Sequence, residues 1–161
     1  MGVRWAIGPP YVVLLLALAA LPARADFEAG VAAARAGDYT TALREWRPLA
    51  ENGHRDAQFN LGLIYANGLG VARDDAEALA WYRRAAERGD AGAQHTVGEF
   101  YAFGRGVAPS NVQAVAWMTV AGDNGAPKAE LLDTLKSHMG AASLKQALRL
   151  ADEVRRQCRV D

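Results

Sequence analysis

Cysteine is almost missing from this chain, with Cys158 the single thiol among 161 residues. One thiol closes no intramolecular disulfide, so the fold has to be held by packing. Cys158 itself reads as packing at a helix end, with an intermolecular bridge as the lesser alternative. Arg155, Arg156 and Arg159 stand close to it in sequence, a setting that favours thiolate. Histidine is scarce too: His54, His95 and His138 lie at least 40 residues apart. Metal ligands usually come in close pairs, such as C-x-x-C or H-x-x-x-H, so no metal site is expected. There is no G-x-S-x-G turn and no cysteine with a matching histidine, so no nucleophile and base can be paired. The glycine-rich GLGVAR and GRGVAP lack the preceding strand and the Gly-Lys-Ser/Thr ending of a phosphate loop. No catalytic residue and no cofactor is expected.

A charge excess is also lacking, since 18 Lys and Arg face 18 Asp and Glu. Charges are scattered along the chain, as on solvated helix faces. Without Arg4 and Arg24, 16 basic side chains remain against 18 acidic ones. That balance makes no electrostatic case for nucleic acid or an anionic membrane. The one long apolar run, Tyr11 to Leu21, is shorter than the ~20 residues of a membrane span. It follows a short basic start at Arg4 and precedes Ala23-Arg24-Ala25, with small residues at the two critical positions. Residues 1–25 therefore read as a secretory signal peptide cleaved after Ala25, leaving no stable membrane insertion. An uncleaved anchor is the alternative. The compact signal and the Ala- and Arg-rich usage point to a bacterial periplasm or a secreted protein.

What is present is a repeat. AQFNLGLIYANGLGVARDDAEALAWYRRAAERGDAGA, from Ala57 to Ala93, returns 36 residues later as AQHTVGEFYAFGRGVAPSNVQAVAWMTVAGDNGAPKA. Gly62, Tyr65, Gly68, Gly70, Trp81 and Gly89 fall on Gly98, Tyr101, Gly104, Gly106, Trp117 and Gly125 without a gap. A period in the thirties, with helix-length segments between glycines, predicts stacked helical hairpins. The first helix spans about Ala57 to Asn67, with Leu61, Ile64 and Tyr65 on one face. A mid-helix glycine costs about 1 kcal/mol relative to alanine, so the return of Gly62 at Gly98 predicts close approach of a neighbouring helix. Asp74 and Ser110 read as N-caps of the second helices. Ala78, Trp81, Tyr82, Ala85 and Ala86 make the inner face of the first of these.

The pattern A-x-x-x-L-G-x-x-Y-x-x-G-x-G-V, followed by A-x-x-W-x-x-x-A-A-x-x-G, resembles the Sel-one-like repeat family, relatives of the tetratricopeptide repeats. It covers Ala57 to Gly89 closely, and Ala93 to Gly125 with Val97 and Gly122 as departures. The resemblance implies an all-α fold: a short right-handed α-α superhelix, or solenoid, of antiparallel helical hairpins that binds proteins or peptides. Some secreted relatives carry a disulfide in each hairpin and have affinity for β-lactams. This chain lacks those paired cysteines.

The mature part, 26–161, is expected to be one domain. Residues 26–53 form an N-terminal capping hairpin, 54–89 and 90–125 the two repeats, and 126–161 a degenerate capping hairpin, since terminal units of a solenoid are atypical. Pro48 should kink the second helix or open one of its turns. Pro127 suits the first turn of the next helix, where Leu131, Leu132 and Leu135 share a face. Ser143 and Gln146 read as a capping box. They start a last helix to about Arg159 with Leu144, Ala147, Leu148, Ala151, Val154 and Cys158 on its apolar face.

First helices of successive hairpins line the concave side, where side chains vary while packing residues repeat. The candidate partner-binding positions are those that differ between units: Phe59 and His95, Asn60 and Thr96, Leu63 and Glu99, Asn67 and Phe103. Phe103 either anchors a partner or folds over Val107 as local core. Two function classes follow. One is a non-catalytic exported interaction module that holds another envelope protein. The other is a cell-wall or β-lactam-active hydrolase, which would need convergent polar groups such as His95 and Glu99.

Overall fold

The computed structural model describes residues 25–158. Residues 1–24 of the expected export segment, and Arg159, lie outside them. Eight helices follow one another among the described residues: α1 (Phe27–Arg35), α2 (Tyr39–Glu51), α3 (Arg55–Asn67), α4 (Asp75–Glu87), α5 (Ala91–Phe103), α6 (Asn111–Asp123), α7 (Glu130–His138) and α8 (Ala141–Gln157). No strand interrupts them. Through α6, each helix packs chiefly on its neighbours in sequence, the pattern of a stack of antiparallel hairpins.

Local chemistry sets the helix ends. Asp74 accepts from the N–H groups of Ala76 and Glu77, and Ser110 accepts from Gln113 N–H, so both expected N-caps are made. Gly68 and Gly104 end α3 and α5 in the left-handed region, at φ +67° each, where a side chain would be strained. Behind them the loop is pinned to its own hairpin: Asp74 N–H donates to Tyr65 O, and Ser110 N–H to Tyr101 O. The expected close approaches are also there. A Cβ on Gly62 would stand 2.6 Å from the Tyr82 ring, and one on Gly98 would stand 3.1 Å from Ala114 O. Gly30 in α1 faces the Trp46 indole in the same way.

Two apolar clusters form the core. Ala42, Trp46, Ala50, Leu61, Ile64 and Trp81 join the first two hairpins. Tyr82, Val97, Phe100, Trp117 and Val120 continue the core toward α8, which contributes Ala151 and Val154. Between hairpins, Arg105 pairs with Asp75 at 2.7 Å. Hydrogen bonds from Arg73, and after it Arg105, hold the Asp75 carboxyl below the usual carboxylate range. Its contribution is present above the ordinary carboxylate pKa and is lost as pH falls through the lowered value.

α2 runs through Pro48 as one helix; the ring costs the Arg44 carbonyl its intrahelical donor. The ends depart from expectation in four places. Pro127 lies before α7, which starts at Glu130. Ser143 caps nothing: α8 already begins at Ala141, because Ala141 and Ala142 are strong helix formers and carry the helix back to Gly140. Finally, α7 buries none of its residues, and α8 packs on α6 far more extensively than α7 does. Ala147, Ala151 and Val154 form a stripe of small residues that lets α8 approach α6 closely. Leu148, expected on that face, is 44% exposed, and Leu150 packs on the core instead.

Candidate interaction surface

The close-contact glycines give the three first helices a common phase. Each points its glycine at the second helix of its own hairpin, so residues at a fixed offset from it share a face. One position on are Val31, Leu63 and Glu99; five positions on are Arg35, Asn67 and Phe103. Phe103 is 65% exposed at the end of α5, which excludes the reading that it folds over as local core. Leu63 is 38% exposed. With Asn60 it lines a groove of about 390 Å³ between α1 and α3, floored by Trp46 of α2.

The remaining candidates divide. Phe59, expected to face a partner, is half-buried instead: its ring meets Tyr82 edge-on at 5.4 Å, and Tyr82 meets Phe100 likewise at 5.5 Å. This aromatic row joins α3 to α5 through α4, and burial pushes the Tyr82 hydroxyl well above its usual range. Asn67 donates to Leu63 O, and the Thr96 hydroxyl to Gly92 O, so both polar groups turn back onto their own helices. His95 Nε2 lies 3.5 Å from Glu99 Oε1, one turn on along a half-exposed face.

Two groups of residues escaped the sequence reading. Gln58 and Gln94 are buried at 2% and 0% exposure. Their side-chain amides donate across the hairpin boundary, to Ala50 O and Ala86 O respectively, each at 2.9 Å. The Ala-Gln dipeptide returning at 57–58 and 93–94 was the available signal. Gln94 Oε1 also accepts from Asn124 Nδ2 at 2.8 Å, whereas Gln58 Oε1 is buried with no hydrogen-bond partner. Gln94→Ala should therefore lower unfolding free energy by about 1 kcal/mol more than Gln58→Ala, as read from urea midpoints. Equal losses would mean the Asn124 bond adds nothing. The second escape is Arg35, because α1 carries no copy of the repeat pattern.

Cys158 is half-buried against the core and donates to Ala86 O at 3.4 Å. Burial pushes its thiol up, and Arg155, expected to favour thiolate, is held instead by Asp123 and Asp152. Among the described residues there is no cluster of three or more potential metal ligands and no helix long and apolar enough to cross a membrane.

The Sel1 repeat family model matches residues 55–90 and 91–125, the two hairpins α3–α4 and α5–α6. No curated protein matches the chain. Among solved structures, a protective antigen present in uropathogenic Escherichia coli strains, displaying an SLR fold, is similar with a TM-score of 0.68 and 31% identity. That match covers 80% of this chain but spans only 28% of the antigen's length. A Sel1 repeat protein from Oxalobacter formigenes is similar with a TM-score of 0.59 and 34% identity, over 69% of this chain and 85% of that one. Since it is 34% identical to a Sel1 repeat protein over the aligned 85% of that protein's length, and its two glycine-marked hairpins fit the repeat model, this chain belongs to the Sel1 repeat family.

Proposed function

We propose that this protein is a non-catalytic, exported interaction module, acting as an adaptor, scaffold or regulator of another protein in the bacterial cell envelope. One observation carries the reading. Of the three large hydrophobic side chains left exposed among the described residues, two, Leu63 and Phe103, stand on the face shared by the first helices. Exposed apolar side chains of that kind serve as anchors for a partner. The basic start, apolar run and small residues around Ala25 support export into the periplasm. The His95–Glu99 pair lends little to a hydrolase, since its two groups sit one turn apart on a half-exposed helix face.

A pull-down from envelope extract, comparing the parent with Phe103→Ala and Glu99→Lys, tests the surface. Partners should be lost with Phe103→Ala, while thermal stability stays within about 0.5 kcal/mol of the parent, as for exposed positions generally. Recovery of the same partners by both variants would overturn the assignment. Mass spectrometry of the periplasmic protein should find Asp26 as its first residue. Turnover of β-lactam or peptidoglycan fragments by the purified protein would overturn the non-catalytic reading.

A further inference from the structure

The groove between α1 and α3 has a polarity of its own, and we infer that it takes an apolar peptide segment flanked on one side by a carboxylate. This rests on the interaction reading above and names the chemistry of the partner. Val31, Trp46, Leu63 and Ile64 offer apolar surface along the groove, while Arg35 and Asn60 supply polar groups to its lining. Its volume of about 390 Å³ lies at the small end of ligand pockets, suited to one or two side chains rather than a whole small molecule.

Arg35 sets the direction. Its guanidinium has no ion-pair or hydrogen-bond partner among the described residues. A cation in the last turn of α1 suits the helix dipole, but that role needs no apolar trough beside it. Among the described residues that line the groove, Arg35 is the one with a charge, so the groove is cationic toward the end of α1. A bound segment gains by placing its carboxylate at Arg35, with its apolar side chains over Trp46 and Ile64. Asn60, with both a donor and an acceptor, can meet the segment's backbone.

The test titrates the 15N-labelled full chain with a blocked peptide, acetyl-Gly-Ser-Leu-Phe-Asp-Gly-amide, and with its Asn analogue. Amide shifts should concentrate around Val31, Arg35, Asn60 and Leu63. The Asp peptide should bind about fivefold tighter than the Asn peptide, the scale of a partly exposed charge pair. Arg35→Gln should abolish that preference while leaving apolar binding, and Leu63→Asp should weaken both peptides. Shifts mapping instead to Phe103 and Glu99 would overturn the groove assignment but leave the interaction reading standing. Equal affinity for the two peptides, or Arg35→Gln retaining the preference, would overturn the carboxylate end. Absence of binding would overturn the groove proposal, and only a failed envelope pull-down as well would remove the broader function.

Discussion

Gly106→Ala should unfold this protein at markedly lower urea, with a loss of about 3 kcal/mol or more. Two costs combine. The residue sits at φ +65°, where an L side chain is strained by about 1–2 kcal/mol. The new methyl also has no room: a Cβ would stand 2.5 Å from both Ala76 N and Asp75 O. Those atoms are backbone at the start of α4, where Ala76 N–H already donates to the Asp74 cap, so they cannot swing aside like a flexible side chain. Overpacking of this kind costs a further 1–3 kcal/mol, roughly. Gly89→Ala is the control. Its φ is +82°, but nothing lies within 4 Å of the added carbon, so only the strain remains. If the two variants lose the same stability, the loop of the second repeat does not bear on the helix before it, and the stacking described above is wrong at that junction.

Trp81→Ala should cost about 3–5 kcal/mol, the range for truncating a large buried aromatic. The indole is 4% exposed and belongs to the cluster that joins the first two hairpins. Its Nε1 donates to Glu77 Oε1 at 2.8 Å, and the Arg84 guanidinium lies 4.4 Å from the ring centroid. Trp81→Phe keeps much of the apolar volume and loses the hydrogen bond, so a smaller loss of about 1–2 kcal/mol is expected. Because each hairpin contacts mainly its neighbours, the damage should be local. Hydrogen exchange should quicken in α2 and α3 well before α6 and α8. Uniform loss of protection, or a cost under about 1 kcal/mol, would mean that the indole does not lock hairpin to hairpin.

Legibility in the sequence followed the repeat. Most residues that recurred after 36 positions could be given a role, because two copies in one chain report the same local demand; the buried Gln58 and Gln94 are the exception. Gly62 with Gly98 announced a close helix contact, Asp74 with Ser110 announced a cap, and Trp81 with Trp117 announced the inner face. Where the repeat lapsed, reading failed. Ser143 and Gln146 had the spacing of a capping box, but Ala141 and Ala142 extended the helix past it. Leu148 fitted an apolar stripe drawn on α8 alone, but α8 buries Ala147, Ala151 and Val154 and leaves it exposed.

The same division runs through the surface. Variation between the two units drew attention to Leu63 and Phe103, and both are exposed, because unrepeated positions are released from packing. It misjudged Phe59, whose ring is drawn into a row with Tyr82 and Phe100, a contact between residues from three different helices. The sequence by itself determined the helical hairpins, their caps and turns, and the family, since those depend on neighbours a few residues away or one period apart. Only the tertiary structure decided that α8 rather than α7 closes the stack, that buried glutamines tie hairpin to hairpin, and that Arg35 stands beside an apolar groove. Each of these is set by how whole helices rotate and settle against one another, and that geometry comes from packing all the elements together.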